Sequence, residues 1–189
     1  MSFTITYWGK QMATTQAELE SLNTAIQTEK DGRAFYQEAT QRAANPLAKV
    51  AFETLADEEL AHIETIKAFH ESLKETGTGK EVGELIQDEP QASARLKNVF
   101  QKARQSMDQT VKADVGSLEA YAAAMKLEQK AYDMYQRLIA GTTDEMARRL
   151  YQFMLEQENQ HYAFLKETHD YLESPASWFV KEERPHFEG

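Results

Sequence analysis

Two Glu-x-x-His motifs, Glu59 to His62 and Glu158 to His161, stand in the middle of apolar helical segments. Residues three apart lie on the same face of a helix, so each motif directs a carboxylate and an imidazole toward one point. The neighbouring apolar residues follow at alternating spacings of four and three, which is the pattern of a helix face packed against a partner. Each motif therefore places polar side chains where apolar ones belong, and it predicts two ligands for a metal ion.

The two motifs are parts of an internal repeat. A shift of 99 residues, the distance from Glu59 to Glu158, superimposes the two halves of the chain without a gap. Each half predicts a helical hairpin, because a turn sequence, Asn45-Pro46 in the first and Gly141-Thr142-Thr143 in the second, separates two amphipathic segments. Further matched pairs are Ala25 and Ala124, Glu29 and Glu128, Tyr36 and Tyr135, Ala48 and Ala147, and Leu73 and Leu172.

The repeat predicts an all-α fold, a four-helix bundle of two repeated helical hairpins joined by a long crossover that itself contains a helix. The predicted helices span residues 16–44 and 46–75, with a third beginning near Ser117 and a fourth ending near Ser174. Thr14 and Ser117 are candidate N-caps. The predicted divisions are an N-terminal extension, 1–15; the bundle, 16–174, including the crossover, 76–116; and a C-terminal tail, 175–189.

Composition excludes several classes of protein. The chain has no cysteine, which rules out disulfides, zinc ribbons, iron–sulfur clusters and thiol nucleophiles within it. Its net charge of −10, without a cluster of Lys and Arg, disfavours binding to nucleic acid or to anionic membranes. No apolar run approaches the ~20 residues of a membrane span, and the N-terminus lacks the features of a signal peptide. We therefore expect a cytoplasmic protein.

Four inward acids and two inward histidines are expected to meet in the middle of the bundle. Glu29 lies 16 residues before Asn45 and Glu59 lies 14 after it, so folding the first hairpin brings the two acids level. Burying one unpaired carboxylate costs several kcal/mol, and four also repel one another, whereas two divalent cations would cancel their charge. The alternatives are a solvated helix face and a bundle with a vestigial site. The predicted metal ligands are Glu29, Glu59, His62, Glu128, Glu158 and His161.

Two tyrosines share the helix face of the predicted ligands. Tyr36 and Tyr135 follow Glu29 and Glu128 by seven residues, about two helical turns. They either fill the core or donate hydrogen bonds to a ligand carboxylate, and in the second case they are candidate catalytic residues. Acids that neighbour the first motif but point away from its face are interpreted as surface acids: Asp57, Glu58 and Glu64.

The whole pattern resembles the ferritin-like di-iron carboxylate superfamily, and within it most closely the rubrerythrin di-iron domain. The residues that carry the resemblance are Glu29 with Tyr36, Glu59-Leu60-Ala61-His62, Glu128 with Tyr135, and Glu158-Asn159-Gln160-His161. It spans about residues 20 to 173 and implies a ferritin-like bundle with two iron ions as cofactors, with manganese or zinc as substitutes. The resemblance implies that Glu59 and Glu158 bridge the irons. Glu29 and Glu128 would be terminal ligands, and each histidine would bind one iron.

The sequence departs from the rubrerythrin pattern in two respects. Rubrerythrins carry a further domain that holds an iron in four cysteines and passes electrons to the di-iron centre, whereas this chain has no cysteine. The resemblance therefore implies an external electron donor, either a protein or a small molecule. Rubrerythrins also have a further glutamate about three residues past the third-helix ligand, where this chain has Ala131. The second departure argues against redox-linked ligand exchange and against fast peroxidase turnover.

The resemblance implies an oxidoreductase that reduces hydrogen peroxide or dioxygen at a dinuclear iron centre. Iron handling, by ferroxidation with storage or delivery, is an alternative from a different class. A dimanganese catalase is a third, because the same ligands accept Mn²⁺. We expect a homodimer, in which the two hairpins either pair within one chain or swap between subunits.

Overall fold

The computed structural model describes the backbone of residues 2–86, 96, 98, 101 and 115–174, and the side chains of 16–86, 96, 98, 101 and 116–174. Within these ranges the helices are α1, Ser2–Arg42; α2, Pro46–Thr76; α3, Val82–Leu85; α4, Val115–Gly141; and α5, Glu145–Glu173. No strand occurs within the same ranges, and the prediction of an all-α fold is confirmed. Residues 96, 98 and 101 of the crossover are helical, while the remainder of its predicted helix lies outside the described residues.

The turns inside both hairpins are fixed by helix caps. Asn45 Oδ1 accepts hydrogen bonds from the backbone N–H of Leu47, at 2.8 Å, and of Ala48, at 3.3 Å. Asp144 caps the start of α5 in the same way. Its carboxylate accepts hydrogen bonds from two backbone N–H groups, both at 2.9 Å. Each cap satisfies N–H groups that have no partner inside the helix. These caps account for the helix starts after the predicted turns.

Both predicted N-caps were wrong, and so was the start of the first helix. The structure begins α1 at Ser2 instead of residue 16, so Thr14 lies inside the helix and is not its N-cap. No Gly or Pro occurs between Lys10 and Glu20, and nothing there ends the helix that precedes them. Helix α4 begins at Val115, two residues before Ser117, which is therefore helical instead of the N-cap. The predicted C-terminal tail, 175–189, lies outside the described residues.

Helices α1 and α2 pack as one hairpin, and α4 and α5 pack as the other. The hairpins meet most extensively where α1 contacts α4. Their buried apolar side chains form two clusters, one around Tyr36, Phe52 and Tyr121, the other around Tyr135 and Tyr151. The repeat relates one cluster to the other, since Tyr36 and Phe52 correspond to Tyr135 and Tyr151. The predicted pair of repeated hairpins is thus present, with a layer of polar side chains between the two clusters.

One end of the second cluster depends on a glycine. Phe69 is completely buried, and a Cβ built at Gly79 would lie 2.0 Å from its ring atom Cζ. Because the ring is held inside the core, Gly79→Ala would force the loop or the ring to move, and such overpacking costs about 1–3 kcal/mol. We expect this variant to lower the free energy of unfolding by that amount, measured by urea denaturation.

Gly83→Ala is the matched control, because a Cβ at Gly83 meets no atom within 4 Å. Gly83 lies in the short helix α3, where alanine favours the helical backbone by up to about 1 kcal/mol over glycine. We expect the control to be neutral or slightly stabilising. Equal losses in both variants would show that loop conformation, and not the contact with Phe69, requires glycine.

Among the helices of the described ranges, none combines the length and the apolar character that crossing a bilayer requires.

Candidate metal centre

The polar layer between the two apolar clusters contains all six predicted ligands. Helices α1 and α4 each supply one glutamate, and α2 and α5 each supply a Glu-x-x-His pair. Each of the six residues is at most 4% exposed. The side chains in this layer are Glu29 from α1, Glu59 and His62 from α2, Glu128 from α4, and Glu158 and His161 from α5.

The six side chains form two overlapping groups of four. The first group contains Glu29 and His62, the second contains Glu128 and His161, and both contain Glu59 and Glu158. Within each group, one nitrogen or oxygen atom from every member lies within 4.8 Å of the others. The two imidazole rings stack with centroids 5.2 Å apart and planes at 15°. The arrangement therefore offers two adjacent cation positions with two carboxylates between them.

Both imidazoles present Nδ1 to the carboxylates. His62 Nδ1 lies 3.1 Å from Glu29 Oε2 and 3.6 Å from Glu59 Oε2. His161 Nδ1 lies 3.5 Å from Glu59 Oε1 and 3.7 Å from Glu128 Oε2. These separations are close enough for the atoms to share one cation after small side-chain adjustments, because metal–ligand bonds to nitrogen and oxygen measure ~2.0–2.2 Å.

Several buried polar atoms of the layer have no hydrogen-bond partner in the described chain. They include His161 Nδ1, Glu128 Oε2 and Glu158 Oε1, all of which face the centre. The Nε2 atoms of His62 and His161 are also buried without a partner. An unpartnered buried carboxylate oxygen is costly, and cations would satisfy the oxygen and nitrogen atoms that face the centre. The residues present thus fit a metal centre of mixed oxygen and nitrogen ligands.

The four carboxyl groups of the layer fall into two kinds according to the direction in which their pKa values are shifted. Burial and the charge of Glu29 raise the pKa of Glu59 from 4.5 to about 7. Burial and the charges of Glu29 and Glu128 raise the pKa of Glu158 well above 4.5. Burial opposes ionisation of Glu29 too, but hydrogen bonds with Glu59 and His62 outweigh it and lower its pKa to about 2. The pKa of Glu128 is lowered in the same way. The shared acids therefore hold protons more firmly than the terminal ones.

The imidazoles also hold protons firmly. Burial would lower the pKa of His161, but the nearby carboxylates of Glu128 and Glu59 outweigh it and raise the pKa from 6.5 to about 9. Burial likewise opposes protonation of His62, yet its contacts with Glu29 and Glu59 raise its pKa well above 6.5. The raised pKa values of the two shared acids and the two imidazoles favour the binding of protons to these four groups. A cation that enters must displace these protons.

The two predicted tyrosines join the hairpins across the centre. Tyr36 on α1 donates a hydrogen bond to Glu128 Oε1 on α4, and Tyr135 on α4 donates one to Glu29 Oε1 on α1. Both tyrosines are completely buried. Burial and the neighbouring carboxylates raise the pKa of both hydroxyls, so they remain protonated donors. Each tyrosine both fills the core and holds a terminal carboxylate of the opposite hairpin.

Replacing either tyrosine by phenylalanine should weaken metal binding. Tyr135→Phe leaves Glu29 Oε1 without its donor, and loss of such a supporting hydrogen bond reduces metal affinity by about 10–100-fold. Titration of the metal-free protein with Co²⁺ measures the change. The control is Tyr121→Phe, because the Tyr121 hydroxyl is buried without a hydrogen-bond partner in the described chain. We expect that control to keep its affinity and its stability; an equal loss of affinity in both variants would contradict the assigned role.

Sequence analysis missed two other buried acids. Glu58 was interpreted as a surface acid, but it is only 2% exposed, whereas Asp57 and Glu64 are exposed as expected. The carboxylate of Glu18 accepts hydrogen bonds from Tyr151, at 2.5 Å, and from Thr142, at 2.7 Å. It joins α1 to the turn between α4 and α5, away from the six ligands. Helical spacing could have identified both acids, since Glu18 precedes Leu22 by four residues and Glu58 precedes His62 by four.

Small residues flank the ligands where the rubrerythrin pattern has a further glutamate. Ala131 is buried, so no carboxylate enters the layer from that position. Its repeat equivalent is Gly32, and a Cβ built there would lie 3.4 Å from Glu59 Cδ. In the first hairpin, the position equivalent to Ala131 therefore lies beside a predicted ligand.

A family model with the description Rubrerythrin matches residues 20–169, which is most of the chain. All six predicted ligands and both tyrosines lie within the matched range. No curated protein and no solved structure gives a significant match.

Proposed function

Because the chain belongs to the rubrerythrin family of ferritin-like di-iron proteins, we propose that it is a non-haem di-iron oxidoreductase that reduces hydrogen peroxide or dioxygen. An external electron donor, a protein or a small molecule, would restore the reduced centre. The proposal assigns the two cation positions to iron, with Glu59 and Glu158 shared between them.

The observation that carries the proposal is the pair of overlapping ligand groups with Glu59 and Glu158 in common. Single glutamates from two helices and Glu-x-x-His pairs from the other two are the ligand arrangement of ferritin-like di-iron and di-manganese proteins. Each group has three carboxylates and one imidazole, a predominantly oxygen set suited to iron or manganese. Two cation positions side by side allow a two-electron reaction at one place.

The chain's own residues would hold and orient the centre. Glu29 and Glu128 remain ionised because their pKa values are lowered, so each gives its cation position a full negative charge. Tyr36 and Tyr135 fix the orientation of these two carboxylates and keep their protons near the reacting atoms. The apolar clusters cover the layer on two sides. Iron bound there would supply two electrons and Lewis acidity to the O–O bond, so that hydrogen peroxide takes up two protons and yields two waters.

Anaerobic reconstitution with Fe²⁺, followed by stopped-flow mixing with peroxide and separately with dioxygen, tests the proposal. We expect two Fe²⁺ per chain and faster oxidation by peroxide than by dioxygen. Oxidation that is much faster with dioxygen would overturn the preference for peroxide. Binding of fewer than two Fe²⁺ would overturn the dinuclear centre.

Size-exclusion chromatography separates this function from iron storage. We propose a homodimer, and a dimer is too small to enclose an iron core. A large shell that accumulates many ferric ions per chain would favour storage. Release of dioxygen from peroxide by the manganese-loaded protein, without an external donor, would favour a dimanganese catalase.

A further inference from the structure

The buried centre has an opening on the side of the second hairpin. A cavity of about 170 Å³ lies between α4 and α5 and is lined by Glu128, Gln129, Tyr132, Glu158, Asn159 and Tyr162. Two of these residues are predicted ligands, and the other four, Gln129, Tyr132, Asn159 and Tyr162, form what we call the mouth. Gln129 and Asn159 are exposed, and Tyr162 is 36% exposed. The cavity thus connects protein surface to two carboxylates that are themselves almost completely buried.

Two residues of the mouth have apolar counterparts in the first hairpin. The positions in the first hairpin that correspond to Asn159 and Tyr162 are Leu60 and Ile63. Ile63 is only 3% exposed, against 36% for Tyr162. The two halves therefore keep the same ligands but differ in the residues that cover them.

The chemistry of the cavity suits small polar species. Its walls offer amide and phenol groups, which form hydrogen bonds without adding charge, and its floor offers the carboxylates of Glu128 and Glu158. The volume has room for several water molecules but not for a large organic substrate. Glu158 Oε1 and Glu128 Oε2 lack hydrogen-bond partners in the described chain, so both are available to an incoming cation.

We propose that the mouth is the port through which hydrated divalent cations, and the small oxidant that follows them, reach the buried ligands. Asn159 and Tyr162 on α5 set its width and polarity. This inference rests on the proposed metal centre, because it concerns the path to that centre.

The repeat itself supplies the variant that tests the port. Asn159→Leu replaces an amide of the mouth with the larger apolar side chain that the first hairpin has at the corresponding position, Leu60. We expect this closed variant to take up Co²⁺ at least roughly tenfold more slowly than the wild type, because entry would then require a local opening of the helices. Stopped-flow absorption of the bound Co²⁺ measures uptake by the metal-free protein, without any redox reaction. The amount of Co²⁺ bound at equilibrium should be unchanged, since Asn159 is not a predicted ligand.

Two further variants complete the test. Gln152→Leu makes a comparable polar-to-aliphatic change at an exposed position on α5 outside the cavity, and it should leave the uptake rate unchanged. Tyr162→Ala should widen the mouth and accelerate uptake severalfold. Equal uptake rates in the wild type, the closed variant and the widened variant would overturn the port. A wild-type chain that binds no Co²⁺ would instead refute the metal centre, so the two failures are distinguishable.

Discussion

Replacing Glu158 with glutamine should abolish tight binding at both cation positions, whereas replacing Glu128 should impair only one. Glu158 belongs to both ligand groups, but Glu128 belongs to the group of His161 alone. Loss of a direct ligand should exceed the roughly 10–100-fold effect of losing a supporting hydrogen bond. Titration with Co²⁺, with metal content measured after gel filtration, would give close to zero ions for Glu158→Gln and one for Glu128→Gln.

The glutamine variant should fold without metal. Burial raises the pKa of Glu158, so the ionised acid is disfavoured there, and glutamine replaces it with a neutral group of the same shape. Asp57→Asn is the control, because Asp57 is exposed on the same helix as Glu59 and belongs to no ligand group. It should bind two ions. Equal metal content in Glu158→Gln and Glu128→Gln would contradict the assignment of Glu158 as a shared ligand.

The stability of the metal-free protein should fall as pH rises from about 6 to about 9, and that of the metal-loaded protein should rise. Glu59 has a pKa of 4.5 when unfolded and about 7 when folded, so its proton stabilises the native state below pH 4.5 and this stability is lost as pH rises through 7. His161 acts in the same direction between 6.5 and about 9. Each pKa unit corresponds to ~1.4 kcal/mol, so the loss should reach a few kcal/mol.

The terminal acid Glu29 acts in the opposite direction at lower pH. Its pKa falls from 4.5 to about 2 on folding, so the stability it contributes is present above pH 4.5 and lost as pH falls toward 2. Stability of the metal-free protein should therefore be greatest near pH 4.5, where the contribution of Glu29 is complete and that of Glu59 has not yet been lost. Metal binding requires deprotonated ligands, so the loaded protein gains affinity, and hence stability, as pH rises.

Urea denaturation at several pH values, with EDTA or with saturating Co²⁺, measures both trends. In Glu59→Gln the loss through pH 7 should shrink, because that site no longer titrates. Stability that rises with pH in the EDTA series would contradict the firm retention of protons by the shared acids and imidazoles.

Sequence periodicity was sufficient to predict that the six acid and histidine side chains lie together in the core, because each stands on the inward seam of its helix and each half repeats the other. It could not assign the partner of each tyrosine. Tyr36 contacts Glu128 and Tyr135 contacts Glu29, and both bonds cross between hairpins that only the folded bundle brings together. The residues that line the cavity beside Glu128 and Glu158 were also not evident from the sequence. The substitution of Tyr162 for Ile63 was visible in the repeat, but its exposure depends on the packing of neighbouring helices.

Local signals explain the errors at helix ends. Thr14 is a residue type that caps helices, yet the absence of Gly or Pro nearby lets α1 continue through it. The contact between Gly79 and Phe69 joins a loop to a core residue ten positions earlier, and no periodic pattern predicts such a contact.

Neither hairpin contains a complete set of donors for either cation. The first group draws Glu158 from α5, and the second draws Glu59 from α2. If protease cut the connection between α3 and α4, the two fragments would each retain an incomplete set. Added cations would then bind side chains from both fragments at once. Reassociation of the cleaved halves would therefore be reversible and would depend on metal concentration.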